Sequence, residues 1–140
     1  MRDETWAALT HNLEEFPILR GEPAEWSEID EASRAVGLPF PDDYRRFIRR
    51  FGAGVVGAYP IFGVRPVEAM GIAWSVVERN RFYRAQSWPG VENWVVFSAD
   101  HAGNPFGFAE GRVLLSDHDW GQIVEIAPNF EEFLIRTCKI

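Results

Sequence analysis

The last third of the chain restricts the fold more than any other part. Between residues 94 and 127, short apolar runs alternate with turn signals. Trp94–Ser98 is a β-type run, and Phe106 and Phe108 alternate around Gly107. Val113 and Leu115 alternate in the next run, and Gln122–Ala127 makes a further one. Gly103-Asn104-Pro105, Gly111 and Asp117–Gly121 interrupt them. Short alternating runs bounded by Gly, Pro, Asn and Asp read as strands. The segment predicts an antiparallel meander of about four strands.

Helical spacing dominates elsewhere. Thr5–Glu15 reads as a short helix, with Trp6, Leu9, Leu13 and Phe16 on one stripe and Pro17 limiting it. A second helix is read from Pro23 at its first position, through Trp26, Ile29, Ser33 and Val36, to a stop at Gly37. The third is the clearest. Pro41 opens it, and Asp42 and Asp43 complement the positive end of its dipole. Tyr44, Phe47, Ile48 and Phe51 share a face, four arginines lie mainly off that face, and Gly52 ends the helix.

Gly54–Val64 reads as one or two strands. Pro66–Gln86 reads as helix, with Val67, Met70, Trp74 and Val77 on a stripe. Asn129 and Glu132 have the spacing of a capping box for a final helix carrying Phe130, Phe133 and Leu134. Helices flanking a central, mainly antiparallel sheet define an α+β fold. With 140 residues and no linker-like stretch, residues 1–140 are expected to form one domain, of which 1–20 is a helical extension.

Charge narrows the function. There are 14 Lys and Arg against 21 Asp and Glu, a net charge of −7. A surface of this sign does not suit direct nucleic-acid binding, which needs bases to neutralise phosphates. Nor does it suit an anionic membrane. It suits a basic protein partner. Residues 1–58, 59–97 and 98–140 carry −4, +1 and −4, so the acid sits at both ends of the chain. Cys138 stands alone, which excludes an intrachain disulfide and fits a reducing compartment. The opening MRDETWAALT has no apolar signal core, and no stretch reaches the roughly 18 apolar residues of a membrane span. The expected location is the cytoplasm.

Asp100, His101, Asp117, His118 and Asp119 resemble a site more than any other group, because two neighbouring hairpin turns could bring them together. Such groups ligate zinc or harder ions. Asp and Asn are also ordinary turn residues whose side chains bond the local backbone, and no ligand pair has helical spacing. Nothing else demands catalysis. There is no Gly-x-Ser-x-Gly elbow and no P-loop, and Cys138 reads as a packing residue. Arg79, Arg81 and Arg84 read as a solvated helix face. Paired acids at Asp42-Asp43 and Glu131-Glu132 serve helix starts. Trp88 and Trp120 fall in loops, as protein-binding anchors or as lids on the core.

The ordered set Val36-Gly37-Leu38-Pro39-Phe40-Pro41-Asp42-Asp43-Tyr44 through Phe51-Gly52 resembles the N-terminal signature of the SUKH superfamily. Trp94–Asp100 with Gly103–Phe108 is similar to that family's central hairpin. Val113 to Asp119 and Ile126 to Leu134 are similar to its last strands and helix. The resemblance runs over residues 24–136. It departs at Ala109, which intervenes before Glu110 where an acid often follows directly. Residues 55–90 match loosely, and Met1–Arg20 lies outside the signature.

The resemblance implies an α+β fold without catalytic residues, no cofactor and no metal. Bacterial members bind and neutralise a cognate toxin, and fungal relatives regulate cell-wall assembly. The expected function is therefore that of an immunity protein, a monomer or weak dimer, for a basic toxin such as a nuclease. Asp100, His101, Glu110, Asp117, Asp119 and Trp120 are the expected contacts: acids pair with toxin Lys or Arg, and Trp120 fills a pocket. The alternatives are a small metal-dependent hydrolase using the Asp/His turns, and a regulatory scaffold.

Overall fold

The computed structural model describes residues 1–68 and 71–140. Its strands pair in chain order, each antiparallel to the next: β1 (Gly54–Val56), β2 (Tyr59–Ile61), β3 (Val95–Ala99), β4 (Pro105–Ala109), β5 (Arg112–Asp117) and β6 (Gln122–Ala127). The helices are α1 (Asp3–Glu15), α2 (Trp26–Val36), α3 (Asp42–Phe51), α4 (Val76–Ala85) and α5 (Phe130–Arg136). The fold is α+β. The expected meander is β3–β6, and the apolar run after Gly52 forms the hairpin that extends the same sheet.

The α3 helix seats the core. Pro41 is its N-cap, Asp42 and Asp43 fill its first turn, and Arg49 and Arg50 its last. Tyr44, Phe47, Ile48 and Phe51 are buried. Gly52 follows at φ +79°, and a Cβ there would lie 1.9 Å from the Glu22 carbonyl oxygen, so only glycine fits. The Tyr44 ring packs against Phe40, Phe97, Phe108 and Phe130, and its hydroxyl donates to the Phe62 carbonyl. Phe97 stacks on Phe108 at 4.0 Å, and Phe130 and Phe133 of α5 meet Phe97 edge-on. Each such buried ring contributes about 1.5–3 kcal/mol by area alone. The aromatic excess is therefore spent mainly on the core between α3, α5 and one face of the sheet.

Four local expectations change. The α2 helix starts at Trp26, three residues after Pro23, because Glu25 and Glu28 form a reciprocal capping box there. Phe16 is exposed, since Pro17 begins a separate 3-10 turn that takes it off the α1 stripe. The Pro66–Gln86 helix shrinks to α4. Ser75 caps it, with Glu78 completing the box, while Val67 and Ile72 form an isolated antiparallel bridge upstream. Met70 lies outside the described residues. At α5 the Asn129 side chain accepts from the Glu132 N–H, but the return half is missing because the Glu132 carboxylate pairs with Arg136 at 2.8 Å.

One buried side chain completes the sheet. The β2–β3 register holds a single residue pair, Ile61 with Ser98, so β2 does not reach Val96. The Asn80 amide takes that place. It accepts from the Val96 N–H at 2.8 Å and donates to the Val96 carbonyl at 2.9 Å. Buried backbone groups must be paired, and a primary amide presents the donor and acceptor of one strand residue.

Candidate functional site

Alternating strand direction sorts the turns to two ends of the sheet. The β3–β4 turn and the β5–β6 turn share one end, and the β4–β5 turn at Glu110-Gly111 stands at the other. Asp100, His101, Asp117, Asp119 and Trp120 are thus brought to one end. Glu110, in the left-handed region at φ 52°, is a strand length away, about 16 Å at 3.3 Å per residue.

At the shared end, Asp100 is occupied within its own turn. One carboxylate oxygen accepts from the N–H groups of Ala102 and Asn104, at 2.9 and 2.8 Å, and the other from the Asn104 amide at 3.0 Å. Buried Asn104 then reaches the second turn. Its Oδ1 accepts from the His118 N–H at 3.1 Å and also meets His118 Nδ1. The His118 ring lies edge-on to Trp88 at 5.0 Å, Trp88 packs on Tyr83, and the Tyr83 hydroxyl donates to the Gly103 carbonyl at 2.9 Å. Burial raises the Tyr83 pKa, which keeps the phenol protonated as that donor. Trp88 is therefore a lid that ties both turns to α4.

What remains free at this end is acidic and aromatic. Asp117 accepts from the Asp119 N–H at 3.0 Å, which shapes the turn, and the largely exposed Asp119 carboxylate meets His118 Nε2 at 3.2 Å. Trp120 is 76% exposed, the highest value among the exposed large apolar residues of the described chain. Ile123 and Val124 of the adjoining β6 are 50% and 40% exposed. His101 is exposed and packs on Tyr59 at 5.8 Å.

Asp100 and His118 Nδ1 are committed to structural hydrogen bonds, and no group of three or more His, Cys, Asp or Glu is placed to hold a metal ion among the described residues. Burial pushes the Cys138 thiol up to about 12, which leaves it a protonated packing group. Arg84 is not a solvated side chain as expected. Its guanidinium donates to the carbonyls of Val36 and Trp94 at 2.7 and 3.0 Å, and burial lowers its pKa. Arg79 stacks over Phe62 and Trp74 at 4.9 and 4.7 Å.

Sequence reasoning missed Asn104 and Tyr83, which brace the site, and Asn80, which completes the sheet. Asn104 sits inside the Gly103-Asn104-Pro105 signal, where the local pattern marks only a turn. It also missed the use of Glu131 beyond its helix start. That carboxylate accepts from the Arg2 N–H, Arg2 Nε and the Thr5 hydroxyl at 2.9, 3.0 and 2.7 Å, clasping α1 to α5. Burial opposes its charge, but the Arg2 and Thr5 donors outweigh that and lower its pKa to about 2.

No helix among the described residues is long and apolar enough to cross a membrane. The model of the SMI1 / KNR4 family (SUKH-1) matches residues 23–136, most of the chain. No curated protein matches it.

Proposed function

Because the chain belongs to the SMI1 / KNR4 family (SUKH-1), we propose that it is a non-catalytic protein-binding domain, an immunity protein that meets a basic toxin in the cytoplasm and neutralises it. The observation that carries this reading is the braced end of the sheet, where exposed Trp120 stands beside the carboxylates of Asp117 and Asp119. Trp is enriched in binding hot spots, and acids around such an anchor steer a cationic partner and fix its orientation. In this reading Trp120 is the anchor, Asp117 and Asp119 pair with Lys or Arg of the toxin, and His101 lies at the rim. Asp100 acts mainly by holding its turn. Glu110, at the far end, is touched only by a partner broad enough to span the sheet.

The test is co-purification with the product of the adjacent upstream gene. Trp120→Ala is expected to weaken that complex by roughly 30-fold or more, the scale of a hot-spot truncation. Charge reversal at Asp117 and Asp119 is expected to slow association and reduce its salt dependence. The reading fails if the neighbouring product is no toxin and the charge reversals leave every partner bound.

A further inference from the structure

The β6 strand has no strand beyond it among the described residues. Gln122, Ile123, Val124 and Glu125 are all exposed, and alternation along a strand places Ile123 and Val124 on opposite faces. Such an edge offers unpaired backbone groups, and proteins ordinarily blunt it with lysine, proline or a covering segment. From Asp117 to Ala127 there is no Lys, Arg or Pro. The acids Asp117, Asp119 and Glu125 flank the apolar pair instead, with Glu125 bonded to Arg112 at 3.1 Å.

We propose that β6 docks an extended segment of the partner as a seventh strand, and that this segment alternates apolar with basic side chains. Backbone pairing along an exposed edge supplies affinity in strand addition, and the alternating side chains supply specificity. Alternation puts the apolar residues of the incoming segment on one face, against Val124, and its bases on the other, which carries Ile123 and Glu125. The proposal rests on the reading of the chain as a binder of a basic protein. Charge complementarity favours that occupant over a second copy, which would bring the same acid-flanked edge and a further net −7 against this one.

The experiment uses the full chain with isotope-labelled amides and three synthetic peptides of about nine residues, the upper range of a strand. The first alternates Lys and Val, the second is the same with alternate amides N-methylated, and the third replaces Lys by Glu. The Lys/Val peptide is expected to slow hydrogen exchange at the outward amides of residues 122–126 by about tenfold or more, and the other two to leave them unchanged. Ile123→Lys with Val124→Lys is expected to abolish the slowing; should that variant not fold, the three peptides decide on the native chain.

Free exchange with the Lys/Val peptide overturns the proposal. So does equal slowing by the N-methylated peptide, which would mean charge attraction without strand pairing. Slowing that grows with protein concentration and needs no peptide assigns the edge to a second copy and overturns it too. The two readings fail separately: a toxin that binds while β6 exchanges freely removes strand addition alone, and a neighbouring product that is no toxin leaves the peptide result standing.

Discussion

At the β1 edge of the sheet, the chain's own N-terminal segment closes the ladder. Arg20 bridges Gly54, the Gly21 N–H donates to the Ala53 carbonyl at 3.0 Å, and Leu13 packs against Gly54 from α1. At the β6 edge nothing comparable covers Gln122–Glu125 in the described residues. The covering segment precedes residue 23, where the family match begins. One edge is thus finished by residues outside the shared fold, and the other is left with apolar side chains and acids. The difference separates an edge whose side chains hold the fold from one whose side chains are left exposed.

The largest effect should come from uncovering the closed edge. Leu9 and Leu13 are fully buried, and truncating a buried Leu costs about 2–5 kcal/mol. Leu9→Ala with Leu13→Ala is expected to consume most of the stability of a domain this size and to give an aggregating product, read by urea denaturation and light scattering. A double variant that stays folded and monomeric would show that β1 needs no cover. Next is the gap inside the ladder. Asn80→Leu keeps the branched heavy-atom shape but leaves the Val96 N–H and carbonyl unpaired, at a cost of about 3 kcal/mol. Chemical denaturation measures the loss, and hydrogen exchange at Val96 locates it.

A smaller effect attaches to the clasp between α1 and α5. The Glu131 pKa is lowered in the folded protein, so its stabilisation is complete above the ordinary carboxylate range and is lost as pH falls from about 5 toward 2. Glu131→Gln is expected to cost about 1–2 kcal/mol at neutral pH, at the low end for bonds to a charged group because Arg2 is half exposed, and to flatten the acid limb of the melting curve. A variant melting profile parallel to wild type down to pH 2 would remove Glu131 as the source. The smallest effect belongs to the open edge. Ile123→Lys and Val124→Lys should each change stability by no more than about 0.5 kcal/mol. A loss above about 2 kcal/mol in thermal melts would mean that these side chains serve the core, and the contrast between the edges would collapse.

Local signals were legible wherever neighbours in sequence decide the structure. Pro41, the two aspartates after it, the apolar spacing and Gly52 define α3 without help. The turns of the last third set the meander and, through strand parity, the separation of Glu110 from the other expected contacts. The helix at 66–86 was misread because an apolar stripe outweighed the Ser75–Glu78 cap, a signal present in the sequence. Asn80 and Asn104 were illegible for a different reason. Each bonds a residue ten or more positions away, and no local pattern distinguishes an asparagine that spans strands from one that merely turns the chain.

The Asn104 link between the two turns has a consequence for the entropy of association. Loop ends usually lose backbone freedom when a partner fixes them, at roughly 1–2 kcal/mol per residue. Here the Asp100 turn, the His118 turn and the Trp88 lid already form one hydrogen-bonded and packed body. In the proposed reading, a partner anchored on Trp120 therefore grips a stiff platform, and less of its contact energy is lost to ordering the turns beneath it.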